Sequence, residues 1–246
     1  DINEIVARFS KDHFDTTHLF NDEKMKPTNY GKDIVKYLNK RRDMLNDYFE
    51  PNLMNREEAK AEFDTLRERI QPTCHLPYNK QKKEKRHYAY LTGMVNMLTE
   101  ETLDGCGFDD NPTRLSVVVD DNKPVKTFAR RFDGAYPSTK DPVAVWELKE
   151  YYGTTTFGSR VADGIYETML DGMEIEKLQE EKGIDVKHYL IIDDKYTWWG
   201  LGKSYLCRII DILHQGYLDE VIVGRDVITR WPEIVSDLKK INEATQ

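Results

Sequence analysis

No apolar run in this 246-residue chain approaches the roughly 20 residues that a membrane-spanning helix needs, and none reads as a secretory leader. Cysteine is scarce. Cys74, Cys106 and Cys207 are scattered, with neither paired spacing nor a zinc-ligand pattern, so a disulfide scaffold and a zinc module are set aside. Positive charge is in deficit: the formal net charge is −8, which argues against a protein coated with basic surface for nucleic acid. A local cationic groove remains compatible with that total, because phosphate contacts are made locally, and an acidic metal site would add to the negative sum. No internal repeat is visible. The expectation is a cytoplasmic protein with reduced cysteines and no membrane partner.

What is present is ordinary for a globular chain: 39 % hydrophobic and 33 % charged residues, in a length that suits one large or two small domains. Lys32 to Phe49 places Ile34, Tyr37, Leu38, Met44, Leu45 and Tyr48 at roughly helical spacing. Asn55-Arg56-Glu57-Glu58 is a capping box that predicts a helix through Ile70. Gln71 to Asn79, with two prolines, reads as a linker. Lys80 to Arg86 (KQKKEKR) is the one basic run; it reads as a solvated loop or helix end, or as a phosphate contact through Lys80, Lys82, Lys83 and Arg86. A helix predicted over His87–Leu103 carries Glu100 and Glu101 near its end. The boundary is drawn after Arg86, giving a helical extension (1–86) and a core (87–246).

In the core the pattern turns to α/β. Strands are predicted at Leu115–Val119, Thr127–Asp133 and Pro142–Lys149, with Gly134 to Asp141 as a turn between the last two. A helix follows from about Thr156 to Lys177, then a strand at His188–Asp193, a helix over Lys203–Tyr217 and a strand at Glu220–Val223. The final helix is expected to carry Pro232 in its first turn. Sequential strands followed by strand–helix–strand units predict a mixed central sheet flanked by helices on both faces.

The strand Val143-Ala-Val-Trp146 is apolar on both faces until it ends in Glu147-Leu148-Lys149. Residues two apart on a strand share a side, so Glu147 and Lys149 point together, and Asp133 on the preceding strand can reach the same spot. Acid-x-Lys triplets occur eight times in the chain, so the triplet alone decides nothing. The one at Glu147 differs in ending a buried-type strand with a carboxylate on its neighbour. Two carboxylates and the Leu148 carbonyl are hard oxygen donors that suit Mg²⁺, with Mn²⁺ as a substitute, and a lysine beside such an ion can orient or deprotonate an attacking water. The structural alternative is a buried Glu–Lys pair or a solvated strand end.

With the element order, Phe132-Asp133 … Glu147-Leu148-Lys149 resembles the core of the PD-(D/E)xK nuclease superfamily over roughly residues 87–195. Phe132 stands where that pattern usually has proline. The resemblance implies a restriction-endonuclease-like fold and Mg²⁺-dependent hydrolysis of nucleic-acid phosphodiesters. Asp133 and Glu147 would be metal ligands and Lys149 the catalytic lysine, with Glu101, or Glu100 after it, as an added acid from the preceding helix. Size and the helical extension look most like a type II restriction endonuclease, which implies double-stranded DNA as partner and a homodimer. Arg130, Arg131, Lys140, Tyr152, Thr155 and Arg160 are the candidate DNA contacts around that site, the threonine through a helix N-terminus. Two other readings compete. One is a catalytically silent DNA-binding or assembly module of the same fold. The other is an NTPase, because Gly200-Leu-Gly-Lys-Ser204 resembles the end of a phosphate-binding loop, although Thr197 replaces its first glycine and Trp198 and Trp199 crowd it.

Overall fold

The computed structural model describes residues 1–21, 26–81, 84–152 and 158–245. It divides into two compact units, Asp1–Pro51 and Asn52–Gln246. The boundary drawn from sequence, after Arg86, falls inside the second unit.

In the first unit, α1 (Ile2–Lys11) is opened by an Asp1 capping box, and two short strands, β1 (Phe20–Asn21) and β2 (Lys26–Pro27), pair antiparallel. α2 (Asn29–Asp43) starts at Thr28, whose hydroxyl accepts the Gly31 N–H at 3.0 Å. It runs on into a π-helical stretch, Met44–Phe49, and a single turn, α3 (Glu50–Asn52). The predicted helical periodicity from Lys32 to Phe49 therefore holds, with its last part more loosely wound.

The second unit opens with α4 (Arg56–Ile70), bounded as the capping box predicts: Asn55 Oδ1 accepts the Glu58 N–H at 2.9 Å while Glu58 Oε2 accepts the Asn55 N–H at 2.8 Å. The described residues of the basic run lie on β3 (Tyr78–Gln81) and β4 (Glu84–Tyr88), which pair antiparallel, so α5 (Tyr90–Leu103) begins later than His87. β5 (Val117–Asp120) and β6 (Lys123–Thr127) form a two-stranded sheet of their own. The central sheet contains β7 (Gly134–Tyr136), β8 (Ala144–Lys149), β9 (Lys187–Ile192) and β10 (Glu220–Val223) in the order β10-β9-β8-β7, the last pair antiparallel and the others parallel. α6 (Ser159–Lys182) and α7 (Lys203–His214) connect the parallel strands, and α8 (Val227–Thr245) closes the chain. The fold is mixed α/β. Among the described residues no helix is long and apolar enough to cross a membrane.

Three expectations need correction. The predicted strand at 115–119 is shifted and belongs to the separate hairpin. The predicted strand Thr127–Asp133 does not form: Phe128 and Phe132 drop into the core, their rings 5.3 Å apart edge to face, and extended pairing starts only at Gly134. Gly134 is needed there, because a Cβ would sit 2.0 Å from the Trp146 ring. Pro232 lies within α8, which starts at Val227 rather than beside the proline.

Side-chain alternation along β8 splits the core in two. Ala144, Trp146 and Leu148 pack with α4, α5 and α8, while Val145 packs on the opposite face with Phe132, Ile175 and Leu178. Trp146 meets Trp231 of α8 edge to face at 5.2 Å, and the Trp231 indole N–H donates to Thr99 Oγ1 at 2.8 Å. The odd-numbered side chains of β8, Glu147 and Lys149, therefore emerge on the α6 side.

Candidate active site

β8 carries its apolar residues through the sheet and meets charge only at its end, where Glu147 and Lys149 share a face. Their carboxylate and ammonium are 2.5 Å apart, Lys149 Nζ donating to Glu147 Oε1. Asp133 stands beside them. Its N–H donates to the Trp146 carbonyl at 3.1 Å, extending the β7–β8 ladder by one residue, and its Oδ2 accepts the Leu148 N–H at 2.8 Å. The side chain of Asp133 thus takes over the ladder where the backbone of its own strand diverges.

Arg130 completes the cluster. Its guanidinium lies 2.6 Å from Glu147 Oε1, 3.6 Å from Glu167 and 3.4 Å from Asp171. Lys149 Nζ also reaches Glu167 at 3.4 Å. Glu167 and Asp171 are one helical turn apart on α6, so both fall on the face turned to β8. Gly164, on that same face, makes room for the lysine stem: a Cβ there would lie 2.9 Å from Lys149 Cε. Burial pushes the Glu147 carboxyl up to about 7, Asp133's charge adding to it, while Lys149 and Arg130 pull the other way. Burial likewise lifts Asp171 to about 7 against the pull of Arg130 and Lys149. The cluster opens on a cavity of about 770 Å³ lined by Asn111, Arg114, Arg130, Arg131, Asp133 and Glu167. Another cavity, of about 860 Å³, lies in the first unit, lined by Ile2, Val35 and Met44 together with Asp1, Asp43, Lys32, Lys36 and Lys40.

The structure brings together Asp133, Glu147, Lys149, Arg130 and, on the cavity wall, Arg131. It does not bring Glu101 to them: Glu101 pairs with Arg69 of α4, and Glu100 accepts from the Thr73 N–H. The reason is strand parity. α5 packs on the face of β8 that carries Trp146 and Leu148, whereas Glu147 and Lys149 point to α6. The acids that do join, Glu167 and Asp171, are not assigned to the site from the sequence; their spacing with Gly164 on one helix face was the available signal. Tyr152 is a second correction. It is fully buried, its ring 6.5 Å from that of Tyr90, and cannot lie on a DNA-contact surface. Its N–H and that of Tyr151 donate to Asp193, which turns the chain inward there. Lys140 is exposed, its carbonyl accepting from Ser138. Lys80 and Arg86 lie on β3 and β4 and Arg160 on α6, but their side chains, together with Lys82, Lys83 and Thr155, lie outside the described residues.

Two further features bear on the chemistry. Among the described residues no three His, Cys, Asp or Glu side chains converge as a ready metal site; the carboxylates here face Arg130 and Lys149 instead. The segment resembling a phosphate-binding loop is a π-helical turn, Tyr196–Leu201, with Trp198 buried and Lys203 Nζ set 3.5 Å over the Trp199 ring. Its lysine lies over an indole, and the residues before it wind as a π-helical turn rather than the open glycine loop that surrounds a phosphate.

No curated protein and no solved structure matches the chain. One family model does, over residues 54–238, which is most of the second unit. The chain belongs to DUF7687, a family described as a domain of unknown function.

Proposed function

We propose that the protein is a Mg²⁺-dependent nuclease of PD-(D/E)xK type that hydrolyses phosphodiester bonds in DNA. The observation that carries this reading is the meeting of Asp133, Glu147 and Lys149 at the end of a buried strand, beside a cavity walled by three arginines. The antiparallel β7–β8 pair followed by parallel β9, with helices on both faces, supports a restriction-endonuclease-like core.

The donor set fits a hard divalent cation, since it offers carboxylate and carbonyl oxygens and no sulfur or imidazole. Asp133, Glu147 and the Leu148 carbonyl would hold the ion, which when bound polarises the phosphodiester and neutralises charge on the leaving oxygen. The chain's own residues do the rest. Glu147 must shed its proton to become a ligand, and its upward-shifted carboxyl sets the pH at which it does so. Lys149, steered by the gap at Gly164 and anchored by Glu167, holds its ammonium where an attacking water would be oriented. Arg130, paired with three carboxylates, offsets their charge and stands with Arg114 and Arg131 on the cavity wall, placed for phosphate contact. Paired cleavage of a duplex would call for a homodimer.

Incubating the native protein with supercoiled plasmid in Mg²⁺ and in EDTA tests the reading. Nicking or linearisation in Mg²⁺ alone, abolished by Glu147→Gln, is the expected result. Intact plasmid across varied DNA, or equal cleavage by Glu147→Gln, overturns it; DNA retention without cleavage would instead favour a silent binding module.

A further inference from the structure

We propose that the outer face of α6 is a self-association surface, on which a second copy of this chain packs its own α6 antiparallel. The seam stands on α6 and its margin alone, and it holds whether or not the chain cuts DNA. Five exposed residues, Asp163, Tyr166, Leu170, Met173 and Lys177, recur along the helix at spacings of three, four, three and four. That alternation is the seam of a left-handed helix pair, here spanning about 21 Å of helix axis. The three central residues are large and apolar, and between 44 and 56 % of each is open to solvent. Aligned on one helix, they form a continuous row of the kind that marks an interaction surface, unlike the single exposed apolar residues that any protein shows. Arg208 of α7 widens the patch: its Nη1 donates to the Tyr166 hydroxyl at 3.0 Å and its guanidinium lies 5.1 Å from the Tyr205 ring.

The charges select the partner. Asp163 and Lys177 lie seven residues either side of Leu170, at opposite ends of the row. When two such helices pack antiparallel about a two-fold axis at Leu170, each Leu170 meets its own copy and Tyr166 meets the partner's Met173. Asp163 then meets the partner's Lys177 at both ends. A parallel pair would instead set aspartate on aspartate and lysine on lysine. The row is thus complementary to itself in one orientation, as a two-fold contact between copies requires. Lys177 now lies 3.6 Å from Glu181, one turn on, in an exposed pair that contributes little and is readily exchanged. The acids flanking the apolar part are already matched within the chain: Glu167 by Lys149 and Arg130, and Glu174 by Lys126 at 2.6 Å. A seam of this length is a small interface, so the expected dimer dissociates in the micromolar range.

Sedimentation velocity over a concentration series, in EDTA and without nucleic acid, tests the seam. The native protein is expected to pass from monomer to dimer as its concentration rises through the micromolar range. Leu170→Glu should weaken association about 30-fold or more, because the two new carboxylates face each other across the axis. Its melting temperature should change little, since the side chain is exposed. Asp163→Lys and Lys177→Asp should each weaken association about 2- to 30-fold when tested alone. An equimolar mixture of those two variants should associate as well as the native protein, because opposite charges then meet at both ends. A protein monomeric throughout, a dimer kept by a folded Leu170→Glu protein, or single charge variants that associate like the native chain would overturn the proposal. A dimer broken by Leu170→Glu, together with intact plasmid in Mg²⁺, would leave the seam standing and remove the nuclease; plasmid cleavage by a protein monomeric throughout would do the reverse.

Discussion

Two acidic groups sit at the same end of the same strands, on opposite faces of the sheet, and they differ in what holds them. On the α6 face, Glu147, Glu167 and Asp171 are matched by side-chain cations, Arg130 and Lys149, at the wall of an open cavity. On the other face, Glu150 Oε2 accepts from the Thr92 N–H at 3.1 Å and its hydroxyl at 2.9 Å, in the first turn of α5. Asp193 is fully buried and accepts from the N–H groups of Tyr151 and Tyr152 at 2.6 and 3.2 Å. Backbone donors are fixed by the fold and cannot leave. Side-chain cations can swing away and be exchanged for another ion. On the proposed nuclease reading the first face serves chemistry and the second position, although burial raises carboxyls on both.

The sharpest way to break this contrast is to neutralise one member on each face. Lys149→Ala should lower the rate of DNA cleavage about 10²- to 10⁴-fold with the melting temperature little changed, whereas Glu150→Gln should leave cleavage unchanged. Similar losses in a plasmid assay would erase the distinction. Next in size, Asp193→Ala strands two buried N–H donors and is expected to cost about 2–4 kcal/mol in urea unfolding. A stable Asp193→Ala protein would mean that the second face does not hold the chain ends of β8 and β9 together. Gly164→Ala is subtler: its Cβ would push on Lys149 Cε from 2.9 Å. It should cut cleavage about 10- to 100-fold with little change in melting temperature, because the lysine tip moves more easily than the helix.

The smallest effect is in pH. Glu147 and Asp171 are held near 7, above the ordinary carboxylate range, so their contribution to stability is fully present in acid and is lost as pH rises through about 7. The metal-free protein should melt a few degrees lower at about pH 8 than at about pH 5.5 by calorimetry. Mn²⁺ binding has the opposite sign: it needs the ionised carboxylates and should tighten over the same interval by titration calorimetry. A Mn²⁺ affinity indifferent to pH between those values would separate Glu147 from the metal.

Several elements were legible in the residues because local physics decides them. The capping box at Asn55 bounds α4 with no help from the rest of the chain, and the apolar run ending in Glu-Leu-Lys announces a strand buried on both faces. β10 is found where predicted, Glu220–Val223. Element order alone was enough for a mixed sheet. Where the prediction failed, a distant partner decided the outcome. Phe128 and Phe132 left the predicted strand for a core supplied partly by α6 and β9. His87 and Tyr88 joined a hairpin rather than a helix because Tyr78 and Asn79 pair with them.

The sequence by itself determined that Glu147 and Lys149 emerge together from a dry strand, since alternation along a strand is a property of the backbone. It could not say which helix covers that side. Tertiary structure put α6 there and α5 behind, and so recruited Glu167 and Asp171 while leaving Glu101 to Arg69. It also turned Arg130 into the acids rather than outward. Strand parity is local, but the choice of helix for each face depends on how connections cross the sheet, and only the folded chain makes that choice.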